Sequence, residues 1–236
     1  MPASNIPGWQ LGYRFNAANY ANSEFADLTG NNNPLEVLNG SPVFETVDAH
    51  ECVKLDNTWN ARFWHPNVWQ GTVVLVARLD RVSGGTLVRY PIGFARDGSN
   101  GSSNRLVALF VGNDRRVQLT SGGNVTAGPA NLSDSVIGTL VLCQDQIRQN
   151  TYWTLDGVAV NSGTAATGII NGNRHQMGSN ADGAHLGALF GDVSNTTPDS
   201  AVNIHLFEMH FFEANPIEDA AMELQEFLAE LSGKYA

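Results

Sequence analysis

The chain of 236 residues carries 13 basic and 23 acidic side chains, a formal net charge of −10, and only 15% of its residues are charged. An acidic chain whose Lys and Arg residues are scattered argues against nucleic-acid binding, which needs clustered cations. The length is ample for a hydrophobic core without a metal or disulfide staple.

Residues 1–34 show little periodic pattern apart from a short candidate strand at residues 12–15. The stretch is rich in Asn and Ala and ends in a turn-forming cluster at residues 29–34. We therefore predict an irregular N-terminal segment over residues 1–34 that could serve as a docking arm. The first nine residues lack the basic start and apolar stretch of a signal peptide. Apolar runs elsewhere are too short to cross a bilayer, so we expect no membrane partner.

Residues 35–236 read as one β domain with about a dozen short strands at roughly ten-residue spacing, separated by turn-forming residues. This pattern is typical of a sandwich or jelly roll. Asp156-Gly157 between two β-prone runs indicates a hairpin. The predicted strands before the last one are 35–38, 42–47, 52–56, 71–79, 87–90, 91–95, 105–111, 116–120, 137–143, 151–155, 158–160, 175–177 and 185–190.

The final predicted strand, residues 204–212, is apolar on both alternating faces, which favours a central, doubly covered position. Strict alternation puts His205 and His210 on opposite faces of this strand. A helix over residues 216–231 follows, with Asn215 as its cap and Gly233 as its left-handed stop. Its apolar stripe comprises Ile217, Ala220, Ala221, Leu224, Phe227, Leu228 and Leu231.

An aromatic cluster gives the best candidate binding site, because three of the five tryptophans fall within eleven residues. Sugar rings stack on indole faces, while amide and guanidinium groups bind hydroxyls. The candidate ligand-binding residues are Trp59, Asn60, Arg62, Trp64, His65 and Trp69. Core packing and a protein interface remain alternatives for the same cluster.

The two cysteines, Cys52 and Cys143, lack the spacing of a zinc or redox motif. We expect two buried free thiols, and a disulfide is the alternative if the protein matures in an oxidising compartment. Calcium could bind Asn180, Asp182 and Asp192, although an ordinary polar loop is favoured there. No cofactor is expected.

Several motifs occur in a recognisable order: Asp-Leu-Thr-Gly-Asn at residues 27–31, Trp-Thr-Leu-Asp-Gly-Val at 153–158 and Met-Gly-Ser-Asn at 177–180. A closing strand with a Glu then leads into a helix ending in Lys234-Tyr235. Together they resemble the laminin-G-like, concanavalin A-like lectin/glucanase superfamily, in the versions found in phage structural proteins and bacterial surface proteins. The resemblance implies an all-β, concanavalin A-like jelly-roll sandwich of two antiparallel sheets with one C-terminal α-helix.

Glucanases of this superfamily carry Glu-x-Asp-x-Glu on one strand, since glycoside hydrolysis needs two carboxylates. This chain has only Glu208-Met-His210, with Phe212 at the position of the second Glu. We interpret Glu208 and His210 as a structural pair and expect the protein not to be an enzyme.

The resemblance also frames three functional hypotheses. The first is a non-catalytic, virion-associated carbohydrate-binding domain for adhesion to host glycan, displayed on the virion surface outside the cell. The second is a purely structural phage subunit, such as a head decoration, head fibre or tail component, that contacts capsid or tail proteins and could form homo-oligomers. The third is a polysaccharide-cleaving enzyme.

Overall fold

The computed structural model describes residues 2–55, 59–62, 70–81, 92–95, 105–111, 116–121, 124–131, 136–145, 150–155, 158–164, 183–187 and 202–236. These residues form short 3₁₀ turns at Ala3–Asn5 and Ala17–Asn19, a series of β-strands and a C-terminal helical segment. In chain order the strands are β1 (Trp9–Arg14), β2 (Tyr20–Ala21), β3 (Glu24–Phe25), β4 (Leu35–Asn39), β5 (Val43–Val47), β6 (His50–Leu55), β7 (Asn60–Arg62), β8 (Gln70–Arg81), β9 (Ile92–Ala95), β10 (Arg105–Val111), β11 (Arg116–Ser121), β12 (Asn124–Asn131), β13 (Ile137–Asp145), β14 (Asn150–Leu155), β15 (Val158–Thr164), β16 (Gly183–Gly187) and β17 (Val202–Phe212).

The strands form two antiparallel sheets. The first sheet has eight strands in the order β15-β14-β13-β8-β17-β6-β5, with β1 also paired to β17. The second has nine strands in the order β12-β11-β10-β9-β16-β7-β4-β3-β2. The chain is therefore an all-β sandwich with a short C-terminal helix, which confirms the predicted fold class.

Strand β17 is the central strand of the first sheet, as its two-sided apolar pattern predicts. One edge pairs with β8 over the whole strand, and the other edge pairs first with β6 and then with β1. Met209 and Phe211 stand opposite Tyr13 and Leu11 of β1, and all four side chains are buried. Phe212 packs on the other face, beneath the C-terminal helix.

The N-terminal segment is part of this sandwich, so the prediction that residues 1–34 are irregular is wrong, while their docking role stays a prediction. Strand β1 lies against β17, and the side chains of Leu11, Tyr13, Phe15 and Phe25 are fully buried. The amide of Phe15 also donates to the carbonyl oxygen of Phe207 at 2.9 Å. The apolar positions are few and separated by Asn and Ala, which is why the sequence pattern reads as irregular.

A β-bulge at Phe207 changes which side chains of β17 share a face. The pairing with β8 leaves Phe207 as the extra residue, and this shifts the alternation by one position. His205 and His210 consequently lie on the same face, and the prediction that they lie on opposite faces is wrong. Glu208 joins them on that face.

The helical segment begins at the predicted cap and ends later than predicted. Asn215 Oδ1 accepts a hydrogen bond from the amide of Glu218, and the chain forms α1 (Pro216–Asp219) and then α2 (Ala221–Lys234). Gly233 lies inside α2 and is not a left-handed stop. The predicted end at residue 231 is therefore wrong by about one turn.

Helix α2 covers the outer face of the first sheet with its apolar stripe. Phe227 packs edge-on against the ring of His210 and also contacts Phe212. The buried helix residues in this layer are Leu224, Phe227, Leu228, Leu231 and Tyr235, and they meet Cys52, Val74, Val76, Val141, Phe207 and Phe212 of the sheet. Burying each large apolar side chain contributes roughly 1.5–3 kcal/mol, which makes this layer a substantial part of the core.

Cys52 and Cys143 are both buried thiols that form no disulfide, as expected. In the part of the chain that the structure describes, no helix has the length and apolar character needed to span a bilayer.

Candidate functional site

The predicted aromatic platform loses Trp59, because this side chain belongs to the core. Only 1% of Trp59 is exposed. Its Nε1 donates a hydrogen bond to the carbonyl oxygen of Lys54 at 2.9 Å, and its ring centroid lies 6.2 Å from that of Phe25. An indole with its polar atom satisfied and both faces covered cannot stack on a sugar. The prediction of Trp59 as a ligand-binding residue is wrong.

The other predicted site residues are only partly described. Asn60 and Arg62 belong to β7, which lies between β4 and β16 in the second sheet. Trp64, His65 and Trp69 lie outside the described residues, as do the calcium candidates Asn180, Asp182 and Asp192. Among the residues that the structure does describe, no three His, Cys, Asp or Glu side chains are grouped to hold a metal.

An open polar pocket lies instead near the edge of the second sheet, where β3 meets the loop before β4. The cavity volume is about 320 Å³, at the lower end of the range for small-molecule sites. The lining residues are Glu24, Ala26, Asp27, Gly30, Asn32 and Pro34. In the sequence, residues 29–34 are marked only as a turn cluster, and no local pattern indicates a pocket.

Left-handed backbone precedes one wall of the pocket, strand β3, and forms part of the second wall, the loop before β4. Asn22 and Ser23 have φ values of 53° and 64° between β2 and β3, as a two-residue primed turn requires. In the second wall, Gly30 has φ 81° and Asn32 has φ 58°. Gly adopts this region freely and Asn tolerates it, so the Asn- and Gly-rich composition of the loop is what permits its shape.

Asp27 holds the second wall together. Its Oδ1 accepts from the amides of Gly12 at 3.3 Å and Thr29 at 3.0 Å. Its Oδ2 accepts from the hydroxyl of Thr29 at 2.6 Å and from the amide of Asn33 at 3.2 Å. Both carboxylate oxygens are thus occupied by donors of the protein, so Asp27 is a rigid floor of the pocket.

Tyr13 supports the same loop from the core. Its hydroxyl donates to the carbonyl oxygen of Asn33 at 2.7 Å. Burial, together with the nearby carboxylate of Asp27, raises the pKa of Tyr13 far above its ordinary range. The phenol therefore stays protonated and remains a hydrogen-bond donor to the loop.

Glu24 and Asn32 are the polar side chains of the pocket that are available to a ligand. Among the described residues, neither side chain has a hydrogen-bond or ion-pair partner. Glu24 is half-buried and Asn32 is exposed. A carboxylate offers acceptors only, whereas an amide offers both a donor pair and an acceptor. The pocket can therefore accept and donate hydrogen bonds to a polar ligand.

A second carboxylate, Glu208, lies beneath α2 in a contrasting environment. Only 3% of Glu208 is exposed. Its Oε1 lies 3.5 Å from Arg14 Nη2 and 3.3 Å from His210 Nε2. Its Oε2 accepts from Lys234 Nζ and, at 2.5 Å, from the hydroxyl of Tyr235. The last strand and the last helix of the chain meet at this carboxylate.

These neighbours determine the protonation state of Glu208. Burial alone would raise the pKa of the carboxyl group, but hydrogen bonds from His210, Lys234 and Tyr235 outweigh it and lower the pKa to about 2. A general acid needs a pKa near the working pH. Glu208 is ionised throughout the neutral range and is covered by a helix, which agrees with its interpretation as structural.

No protein-family model matches the chain, and no curated protein matches it. Solved structures share its fold. The binding domain of Paraclostridial Mosquitocidal Protein 1 superposes with a TM-score of 0.61 at 10% identity, over 94% of this chain and 52% of that chain. Botulinum neurotoxin type C gives a TM-score of 0.62 at 10% identity, over 96% and 53%.

The sialidase of Trypanosoma rangeli gives a TM-score of 0.57 at 14% identity, over 91% of this chain and 31% of that chain. This chain thus spans about half the length of the toxin chains and about a third of the sialidase. At sequence identities this low, the superpositions establish a shared β-sandwich fold and nothing more.

Proposed function

We propose that this chain is a non-catalytic carbohydrate-binding domain that holds a sugar residue in the pocket beside Glu24 and Asn32. The observation that carries the proposal is the pocket itself, a cavity of about 320 Å³ that is lined by Glu24 of β3 and Asn32 of a preformed loop, neither of which has a side-chain partner among the described residues. Sugar hydroxyls both donate and accept, and the carboxylate and amide together offer both complements.

The rigidity of the pocket supports this proposal. Four hydrogen bonds to Asp27 and one from Tyr13 keep the loop in shape before a ligand arrives. A preformed site avoids the entropic cost of ordering a loop upon binding. Weak, hydroxyl-rich ligands gain most from such a site, because each of their hydrogen bonds contributes little on its own.

The structural neighbours add support of a general kind. Cell entry of botulinum neurotoxin type C depends on interaction with two ganglioside molecules, and the Trypanosoma rangeli sialidase binds sialic acid. The same β-sandwich therefore occurs in proteins that handle sugars. Since this chain spans only part of each neighbour, their binding residues are not transferred to it.

The arrangement of the carboxylates favours binding over catalysis. Glycoside hydrolysis needs two carboxyl groups that are free to act on one bond. In the described pocket both oxygens of Asp27 are occupied by loop donors, which leaves Glu24 alone. Glu208 and His210 are buried under α2. We therefore propose that a bound sugar is released unchanged.

The biological setting of the binding is a separate proposal, supported by the sequence resemblance to phage structural proteins. We propose display on a virion surface, where the domain would attach the particle to host glycan. Detection of the chain by mass spectrometry in purified particles tests this setting. If the chain is absent from particles but still binds glycan, the proposed display on a virion is contradicted and the proposed carbohydrate-binding function stands.

A glycan array with the labelled protein tests the proposed function. We expect binding to a subset of glycans, strongly reduced in Glu24→Gln and in Asn32→Ala. Glu226→Gln is the matched control, because it removes the same charge from an exposed position on α2 and should bind as the wild type does. Equal binding by all four proteins would contradict the assigned pocket, and an empty array would contradict the function.

A further inference from the structure

We infer that the pocket selects sugar residues that carry a free amino group and rejects acidic sugars. This inference rests on the proposed function and specifies the ligand class of the same pocket. It follows from the charges that line the cavity and from the row of residues to which Glu24 belongs.

Among the described residues that line the pocket, the ionisable side chains are acidic and none is a cation. They are the carboxylic acids Glu24 and Asp27, two of the six described lining residues. Asp27 is saturated with donors, so Glu24 is the acceptor that faces a ligand. A partly enclosed cavity screens charges less than open water does, so its sign affects which ligand enters.

The cross-strand register around Glu24 leaves it without a counter-charge. Glu24 of β3 stands opposite Glu36 of β4, and Glu36 in turn stands opposite Arg62 of β7. Directly opposed residues of antiparallel strands share a face, and opposed like charges are unfavourable. Glu24 thus stands directly across from a second carboxylate. A cationic group on a ligand would offset the repulsion between like charges at this position.

An ammonium group meets this requirement better than a hydroxyl does. It donates up to three hydrogen bonds and brings the missing charge, and charge-assisted hydrogen bonds are about twice as strong as neutral ones. An N-acetylated amine has lost that charge. A sugar carboxylate would add a third negative charge beside Glu24 and Asp27 and would leave Glu24 without a donor.

This selectivity differs from that suggested by the neighbouring structures. Gangliosides carry sialic acid, and the sialidase binds sialic acid itself, so those proteins accept anionic sugars. The two acidic lining residues and the net charge of −10 of this chain oppose an anionic ligand. The ligand class inferred for this pocket is thus opposite in charge to the ligands of those two proteins.

Isothermal titration calorimetry with three probes tests the inference. The probes are a chitosan oligosaccharide with free amines, the fully N-acetylated oligosaccharide of the same length, and sialyllactose. We expect the free-amine oligosaccharide to bind about tenfold more tightly than the N-acetylated one, and sialyllactose not to bind. The preference should fall to about twofold or less in Glu24→Gln. It should persist in Glu226→Gln, which has the same net charge as Glu24→Gln.

The outcomes separate the ligand class from the function. Equal affinity for the two oligosaccharides, tight binding of sialyllactose, or an unchanged preference in Glu24→Gln would each overturn the inference while glycan binding stands. If no probe binds and the glycan array is also empty, the carbohydrate-binding function itself fails. A preference that Glu226→Gln weakens as much as Glu24→Gln does would reflect net charge alone, and it would overturn the assignment to Glu24.

Discussion

Glu24, near the start of the chain, and Glu208, near its end, are carboxylates in contrasting environments. Glu208 is buried and surrounded by an arginine, a histidine, a lysine and a tyrosine, two of them from the last three residues of the chain. Glu24 is half-buried beside an open cavity, and no described residue donates to it. A carboxylate whose acceptors are filled by the protein stabilises the fold. One whose acceptors are empty remains available for a ligand.

Replacing each carboxylate with a neutral amide should give the largest difference in stability between the two sites. Glu208→Gln leaves Lys234 without its buried partner, and we expect a loss of about 3–5 kcal/mol in the free energy of unfolding. Glu24→Gln should change that free energy by less than about 0.5 kcal/mol. Urea denaturation followed by tryptophan fluorescence measures both. Similar losses in the two variants would contradict the assigned roles.

Lowering the pH of the wild-type protein should reveal the stabilising role of Glu208 without a mutation. The pKa of Glu208 is about 2 when folded, against an ordinary value of 4.5. Because the pKa of Glu208 is lower in the folded state than in the unfolded state, its ionised form stabilises the fold at pH values above the unfolded-state pKa. This stabilisation is lost as the pH falls towards and through the folded-state pKa. We therefore expect about 3 kcal/mol to disappear between pH 4.5 and pH 2.

The control for this titration is Glu208→Gln, whose unfolding free energy should fall less steeply over the same pH window. Glu24→Gln should retain the wild-type slope. A wild-type slope in Glu208→Gln would show that other carboxylates cause the acid sensitivity.

Removal of a single donor should give an intermediate effect. Tyr235→Phe deletes the hydroxyl that donates to Glu208 at 2.5 Å and keeps the ring, so we expect a loss of about 1.5–3 kcal/mol. Tyr20→Phe is the matched control, because no described residue is bonded to the Tyr20 hydroxyl and little change is expected. Thermal unfolding followed by circular dichroism compares the two; an equal effect would argue against the Glu208 contact.

The smallest effect concerns the turn that precedes β3, the strand that carries Glu24. Ser23 adopts a φ of 64°, a region that is unfavourable for a side chain and easy for glycine. Ser23→Gly should stabilise the protein by about 0.5–1 kcal/mol and leave glycan affinity unchanged. Gly40, with φ 72°, provides the reverse test, since Gly40→Ala should destabilise. Loss of glycan affinity in Ser23→Gly would show that the turn strain contributes to binding.

The sequence predicts the general architecture well, because local patterns encode it. The two-sided apolar run of β17, the cap at Asn215 and the pairing of the two strands that flank residues 156–157 each rest on neighbouring residues. The structure contains β17, the cap and the β14–β15 pair, while the predicted turn residues Asp156 and Gly157 lie outside the described residues. The bulge at Phe207 has no such marker, since a one-residue register shift depends on the strands that pair with β17. That is why the faces of His205 and His210 could not be predicted.

The candidate site is harder to predict for the same reason. Trp59 has the composition of a sugar platform, yet its exposure depends on Phe25, a residue over thirty positions away, packing against it. The pocket joins Glu24 of β3 to a loop held by Asp27, and the sequence marks only residues 29–34 of that loop, as a turn cluster. Whether Glu24 has a partner is a property of the assembled sheet.

Calorimetric titration of Glu24→Gln with the best glycan of the array tests the central claim most directly. The account predicts an affinity about tenfold or more below that of the wild type, in a protein whose unfolding midpoint is unchanged. Wild-type affinity in a folded Glu24→Gln protein would contradict it, because the unpartnered carboxylate would then have no part in recognition.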